Sequence, residues 1–151
     1  MSGKCTEVEL KVFKTHPRIV LPEYGSEGAA GMDLRAFLEC DEIIAPLCRA
    51  KIPTGLRMEI PSGFEAQVRP RSGLALNLGL TVLNSPGTID SDYRGNIDII
   101  LINLGSQDTV IKDGQRIAQL VLAPVSRALI TEAGILSVTM RGSAGFGSTG
   151  V

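Results

Sequence analysis

The residues best suited to chemistry lie close together, in segment 87–95 of the chain. Two glycines bound this segment, and between them stand two carboxylates, a phenol and a guanidinium: Asp90, Asp92, Tyr93 and Arg94. An Asp held near a bound anion can act as general base for a water molecule. Asp is also frequent in turns, because its carboxylate bonds nearby backbone N–H groups. The segment alone therefore leaves two interpretations open, a hairpin turn and an active site.

A second group combines an arginine and a serine with the start of a helix. Arg71 can bond two phosphate oxygens at once, and Ser72 can donate to another. Both stand at the beginning of the one predicted helix, where unpaired N–H groups and the positive end of the helix dipole favour anions. The alternative is a plain helix cap beside a solvated arginine.

Gln119 is the polar residue in an otherwise apolar run, 117–125. A buried amide without a hydrogen-bond partner costs about 1–3 kcal/mol. We therefore expect Gln119 either to make a structural hydrogen bond or to face a wet ligand site.

The C-terminal segment 141–150 contains four glycines in ten residues, which predicts a mobile tail outside the core. Glycines permit close approach of the backbone to an anion, and Arg141, Ser148 and Thr149 supply donors. Phe146 is either exposed or stacked on a planar ligand such as a base.

Gly and Pro turn signals divide the chain into short pieces in which apolar residues recur at every second position, as in strands. Strands are predicted at 7–13, 55–60, 64–68, 97–102 and 117–123. The one predicted helix, Ser72 to Leu78, begins at a Ser cap and stops at Gly79. Many short strands with frequent turns indicate an all-β sandwich, barrel or jelly roll.

The strand at 97–102 is apolar on both faces. Ile97, Ile99 and Leu101 share one face, whereas Ile100 and Ile102 share the other. Either this strand is central to a sandwich, or a symmetric oligomer covers the surplus apolar surface.

Composition excludes several classes of protein. A length of 151 residues with 44% hydrophobic content suits one domain with its own core. The formal charge of −1 argues against a nucleic-acid backbone as partner. The three cysteines lack paired spacing and fit a reducing cytoplasm. No signal peptide is recognisable, and no apolar run approaches the roughly 20 residues that cross a bilayer, which argues against a membrane location.

Five segments, in order and spread over nearly the whole chain, resemble the five motifs of the trimeric dUTP diphosphatase family. They are 30–36 (AGMDLRA), 71–75 (RSGLA), 87–95 with Asn84 just upstream, 114–119 (GQRIAQ) and 141–150. The chain departs from common family residues at Met32, Ser85 and Asn96, where an aromatic residue, Ala and Glu are frequent. None of the three has a chemical role among those that the resemblance implies.

The resemblance implies a distorted β-barrel or jelly roll with one short helix and a flexible glycine-rich tail, residues 1–140 forming the core and 141–151 an active-site lid. The implied reaction is hydrolysis of dUTP to dUMP and pyrophosphate, which keeps uracil out of DNA and supplies dUMP for thymidylate synthesis. By similarity, Asn84 and the main chain near Asp98 read the uracil edge, and Thr88 and Ile89 also contact the substrate. Tyr93 packs against the sugar where a 2′-hydroxyl would collide.

Asp90 is implied to bond the 3′-hydroxyl and to activate the water that attacks the α-phosphorus. The implied cofactor is Mg²⁺, held mainly by the three phosphates, with Asp33 acting through water. Asp33 and Gln119 are implied to steady the water shell of the metal or the phosphates. The other implied contacts are Arg71, Ser72 and Gly73 to the α and β phosphates, Arg141, Ser148 and Thr149 to the γ phosphate, and Phe146 with Gly147 over the base.

The family's assembly is a homotrimer with sites at the subunit interfaces, where each tail reaches over a neighbour's site. Two rival functions stay open. A dCTP deaminase shares the fold but typically lacks the full fifth motif. A non-catalytic nucleotide-binding trimer would be expected to have lost Asp90 or the tail.

Overall fold

The computed structural model describes residues 7–145, and within them the chain forms eleven β-strands and one α-helix. The strands are β1 (Lys11–Lys14), β2 (Met32–Arg35), β3 (Glu42–Ile44), β4 (Arg49–Pro53), β5 (Leu56–Glu59), β6 (Phe64–Arg69), β7 (Leu80–Val82), β8 (Gly87–Ile89), β9 (Asp98–Asn103), β10 (Thr109–Ile111) and β11 (Arg116–Pro124). The helix, α1 (Ser72–Leu78), lies between β6 and β7. The predicted all-β class is confirmed, and the many short antiparallel strands form the expected distorted jelly roll.

The strands form four antiparallel sheets around one core. The largest has the order β2-β11-β6-β8, and a three-stranded sheet has the order β4-β9-β7. The pairs β1-β5 and β3-β10 complete the set. Alternate residues of each strand point inward, as Ala66 and Val68 do on β6 and Ile99 and Leu101 on β9. These buried side chains belong to a single hydrophobic cluster that joins the sheets.

The five predicted strands are all present, with shifted ends. The first shows the predicted alternation of burial from residue 8 onward, but only Lys11–Lys14 pairs, with β5. The other six strands were not predicted. Most of them have only three or four residues, which is too short for a period of two to stand out.

The helix has the predicted bounds, but its predicted Ser cap is wrong. Arg71, in an extended conformation, occupies the N-cap position and makes no side-chain cap bond, whereas Ser72 is the first helical residue. Gly79 ends the helix as predicted, with a positive φ of 67° that favours glycine. A Cβ at Gly79 would also lie 2.5 Å from the Gly105 backbone nitrogen, so the position lacks the space as well.

The two apolar strands are central in their sheets, β9 between β4 and β7 and β11 between β2 and β6. This was one of the two explanations left open for their composition. Their outer faces are nevertheless only partly covered, since Ile100, Ile102 and Val121 are half-buried within one chain.

After β11 the chain leaves the core as an exposed arm, residues 126–144, without helix or strand. Just before the arm, the Val125 N–H donates a hydrogen bond to the Gly63 carbonyl at 2.8 Å. The large apolar side chains of the arm are at least 81% exposed, and they are Leu129, Ile130, Ile135, Leu136, Val138 and Met140. Within residues 7–145, no helix is long and apolar enough to cross a membrane.

Candidate active site

Asp90 directly follows β8 and begins the connection to β9. The connection folds into a turn in which the Tyr93 N–H donates to the Asp90 carbonyl at 3.1 Å. Arg94 closes the turn, because its guanidinium donates to the Ser91 and Tyr93 carbonyls at 2.7 and 2.9 Å. The segment is thus a turn, in line with one of the two interpretations left open, but it does not close a hairpin. β8 pairs with β6 while β9 pairs with β4 and β7, so the turn joins two different sheets.

This turn forms one side of a cavity of about 340 Å³ between the four-stranded and three-stranded sheets. The apolar lining includes Val68 on β6, Val82 on β7 and Ile99 on β9. Six of the predicted site residues line the cavity, namely Asn84, Thr88, Ile89, Asp90, Tyr93 and Asp98. The structure therefore brings together the residues that are predicted to read the base, to contact the sugar and to activate the water.

Gly87 leaves space for the Asn84 side chain at the cavity. A Cβ at position 87 would lie 3.2 Å from the Asn84 amide nitrogen and 3.3 Å from Val68 Cβ. Gly87 itself is buried, so a larger residue there would have to displace the amide or the core. A glycine at position 87 therefore lets the Asn84 amide lie beside the cavity without a steric clash.

The start of β9 offers backbone groups to the same cavity. β7 ends at Val82, opposite Leu101, and the Leu83 N–H donates to the Ile100 carbonyl at 2.9 Å. β9 begins earlier, at Asp98. In the part of the chain that the structure describes, no strand pairs with Asp98 on the β7 side. The backbone of Asp98 therefore has no strand partner on this side, where the residue lines the cavity.

Lys51 is a cavity residue that the sequence analysis missed. Its ammonium lies 2.9 Å from the Asp98 carboxylate, in an ion pair between β4 and β9. This hydrogen bond and the charge of Asp98 raise the pKa of Lys51 above its ordinary value. The two residues are 47 positions apart and meet only because β4 pairs with β9, so no local signal could have linked them.

A second cluster, which we call the arginine cluster, consists of Asp33, Arg71 and Arg116. One Asp33 carboxylate oxygen lies 3.0 Å from Arg71 Nε, and the other lies 3.1 Å from an Arg116 guanidinium nitrogen. The Arg71 guanidinium also donates to the Arg116 carbonyl at 3.3 Å. Arg71 and Asp33 are about one-quarter exposed, which leaves the guanidinium accessible to an anion. Arg116 belongs to the fourth motif but was not among the predicted site residues.

Gln119 supports this cluster from β11. Its amide nitrogen donates to the Pro70 carbonyl at 2.9 Å, immediately before Arg71 and Ser72. This is the structural hydrogen bond that the sequence analysis allowed for. Gly31 makes room for it, since a Cβ there would lie 2.5 Å from the Gln119 amide oxygen.

Of the predicted tail residues, only Arg141 is among the described residues. Its guanidinium Nε donates to the Ala144 carbonyl at 2.9 Å, and its side chain is exposed. Phe146, Gly147, Ser148 and Thr149 lie outside the described residues.

The cavity and the arginine cluster do not meet within one chain. Asp33 and Gln119 are paired across β2 and β11, and Gln119 alternates with the buried Ala118 and Leu120. The alternation therefore puts Gln119 on the outer face of the four-stranded sheet. The cavity instead includes the core-facing Val68 and Ile89, and its lining contains no member of the arginine cluster.

Comparison with known proteins identifies the family. The dUTPase family model matches residues 18–150. A deoxyuridine 5′-triphosphate nucleotidohydrolase of Rhizobium etli is 59% identical over 133 residues, which cover 87% of this chain and 85% of that protein. Its counterpart in Ehrlichia canis is 53% identical over 149 residues, or 97% of each chain. A Staphylococcus bacteriophage 80alpha dUTPase solved with dUpNHpp superimposes with a TM-score of 0.86 at 26% identity, over 95% of this chain and 99% of the phage chain. The cavity and the arginine cluster therefore belong to a member of the dUTPase family.

Proposed function

We propose that this protein hydrolyses dUTP to dUMP and pyrophosphate. The observation that carries the proposal is the cavity in which Asp90 stands beside Asn84 and Tyr93. Family membership supports it, because the curated relatives are named for this reaction and the phage 80alpha dUTPase was solved with dUpNHpp.

The cavity suits a uracil base. Its apolar lining can cover the faces of a flat ring, while the Asn84 amide offers one donor group and one acceptor. The open backbone edge at Asp98 adds an N–H and a C=O of the same kind. Uracil presents alternating acceptor, donor and acceptor groups along one edge, which such a set complements. Thr88 and Ile89 border the base position in this proposal.

Asp90 is the catalytic residue of the proposal. Its carboxylate is exposed at the cavity edge, where it can accept a proton from water and a hydrogen bond from the 3′-hydroxyl. Tyr93, next to it in the turn, packs against the sugar. The water that Asp90 orients attacks the α-phosphorus in line with the departing pyrophosphate.

The phosphates are assigned to the arginine cluster and the tail. Arg71, Ser72 and Gly73 bind the α and β phosphates, and the ion pair with Asp33 holds Arg71 in position. Gln119 steadies the same loop through Pro70. Arg141, Ser148 and Thr149 bind the γ phosphate, while Phe146 and Gly147 cover the base. Residues 141–151 form the lid and residues 1–140 the core in this proposal.

Mg²⁺ is the proposed cofactor, held mainly by the substrate's phosphates. Among residues 7–145, no three His, Cys, Asp or Glu side chains are grouped as a protein-built metal site would need. This fits a metal that arrives with a triphosphate, because Mg²⁺ commonly keeps its waters and takes few protein ligands. When bound, Mg²⁺ would neutralise phosphate charge. Both Asp33 oxygens already contact arginines, so its contribution would be to the water shell, and that role stays a prediction.

A homotrimer is the proposed assembly, with each site shared between subunits. One chain keeps the cavity and the arginine cluster apart, so a second copy must supply the phosphate-binding part of each site. The exposed arm is a suitable connector, because its apolar side chains need a partner surface. The half-buried outer faces of β9 and β11 offer further apolar area. The cytoplasmic location remains a prediction from the sequence.

A pyrophosphate-release assay with Mg²⁺ tests the function directly. The purified protein should release pyrophosphate from dUTP much faster than from dTTP, dCTP or UTP. Equal rates on all four nucleotides would refute the specificity. Ammonia release from dCTP without pyrophosphate would instead identify a deaminase, and binding of dUTP without turnover would identify a non-catalytic protein.

A further inference from the structure

The Tyr93 ring folds back over Gly95. A Cβ at position 95 would lie 2.5 Å from Cζ and 2.9 Å from Cε2 of that ring. Real Cβ atoms essentially never come this close to another residue's atoms. The backbone of Gly95 is not in the left-handed region, so glycine is required here for space and not for conformation. The Tyr93 ring therefore occupies the space that a side chain at position 95 would fill.

Two hydrogen bonds connect the ring, through Asn96, to strand β5. The Tyr93 hydroxyl donates to the Asn96 carbonyl at 3.1 Å. The Asn96 side-chain oxygen in turn accepts a bond of 2.8 Å from Arg57 Nε on β5. The next residue is tied to the same strand, since the Ile97 N–H donates to the Leu56 carbonyl at 2.8 Å. A continuous path therefore runs from the phenol through Asn96 to a core strand.

The ring needs such support because little else holds it. Tyr93 is 46% exposed and lies on a turn at the cavity edge. A half-exposed side chain rotates readily on the nanosecond timescale. A wall that excludes one hydroxyl group must stay in place to within about 0.5 Å.

We propose that Gly95, Asn96 and Arg57 are positioning residues that hold the Tyr93 ring as the wall excluding a ribose 2′-hydroxyl. This inference rests on the proposed function, and it makes the sugar specificity of Tyr93 depend on three residues that act through its ring. Gly95 and Arg57 lie outside the cavity lining, whereas Asn96 is part of it. The Asn96 side chain acts in this proposal only as a hydrogen-bond acceptor. The bond from Arg57 requires only a side-chain oxygen, which an amide and a carboxylate both provide.

The central experiment compares kcat and KM for dUTP and UTP in the wild type and in Gly95→Ala. The added methyl group must displace the ring, so the ratio of kcat/KM for dUTP to that for UTP should fall at least about tenfold. A variant that merely loses stability would lower both values together and leave the ratio unchanged. An unchanged ratio in Gly95→Ala would overturn the proposal.

Arg57 and Asn96 are exposed, so their variants should fold and provide a second measurement. Arg57→Met and Asn96→Ala should each lower the ratio about threefold or more, whereas Asn96→Asp keeps the acceptor oxygen and should retain the wild-type ratio. Arg18→Met is the matched control, because Arg18 is a surface arginine bonded to Asp113 and Leu38, away from the cavity. Loss of selectivity in Asn96→Asp or Arg18→Met equal to that in Asn96→Ala would contradict the proposal.

Assays of the wild-type enzyme distinguish failure of the proposed dUTP hydrolysis from failure of the proposed positioning of Tyr93. No dUTP hydrolysis by the wild type would overturn the proposed function and this proposal with it. A wild type that prefers dUTP, together with variants that keep the full preference, would overturn this proposal alone.

Discussion

The cavity and the arginine cluster are assembled in different ways. The polar residues predicted for the cavity all fall between Asn84 and Asp98, in and around one turn between two sheets. The arginine cluster instead draws Asp33, Arg71 and Arg116 from three distant parts of the chain, the first and the last being 83 positions apart. A local segment can thus supply the residues proposed for catalysis, whereas the cluster proposed to bind the phosphates depends on the pairing of a whole sheet. Mutations in the two regions should therefore have different kinetic signatures.

The largest effect is expected for Asp90→Asn in the cavity. Loss of the general base should lower kcat by about 10²- to 10⁴-fold, while dUTP still binds because the phosphate contacts remain. Single-turnover hydrolysis and equilibrium binding of dUTP would measure the two quantities. Near-normal turnover would remove Asp90 from the proposed role. Asp92→Asn, in the same turn but outside the cavity lining, is the matched control.

The separation of the two regions can itself be tested by mixing inactive variants. Asp90→Asn disables the cavity, and Arg71→Met disables the arginine cluster. If each site takes its two parts from different subunits, trimers formed from an equal mixture should recover about a quarter of the wild-type sites. Activity after co-refolding would be compared with each variant alone. No recovery would place both parts of a site in one chain.

A smaller effect is expected for Asp33→Asn in the arginine cluster. It should change KM more than kcat, the opposite of the effect expected for Asp90→Asn in the cavity. The variant keeps an oxygen for one arginine but turns an amide donor toward the other. Since the pair is partly exposed, we expect KM for dUTP to rise about threefold to tenfold with kcat less affected. Steady-state kinetics in low and high salt would check this. Asp113→Asn breaks a similar arginine contact elsewhere and should leave KM unchanged.

The smallest effect is expected for Lys51→Met at the cavity edge. Lys51 is exposed, and an exposed ion pair contributes little because water screens it. KM for dUTP should therefore change less than about threefold at physiological ionic strength. An NMR titration of the Lys51 side chain would test its raised pKa, since the ammonium bonded to Asp98 should keep its proton to higher pH than an ordinary lysine does. A large loss of kcat in Lys51→Met would mean that Lys51 contacts the substrate.

Much of the fold could be predicted from local pattern, and the failures have physical causes. The helix from Ser72 to Leu78 and its stop at Gly79 were predicted, because a left-handed terminus needs a glycine. Strands such as β7 and β8, of three residues each, could not be predicted, because their extended form depends on the neighbours with which they pair. For the same reason, the local sequence could not decide whether the Asp90 turn closes a hairpin, because β8 pairs with β6 and not with β9.

The sequence by itself determined which residues are available for chemistry and which face the core. The period of two in β6 and β9 follows from side chains alone, because burial selects apolar residues at alternate positions. Tertiary structure decided which of these residues meet. Strand pairing set Lys51 against Asp98, put Asp33 between two arginines, and separated that cluster from the Asp90 cavity. Only the tertiary structure shows why position 95 is a glycine. The Tyr93 ring folds over it and fills the space that a larger side chain would need.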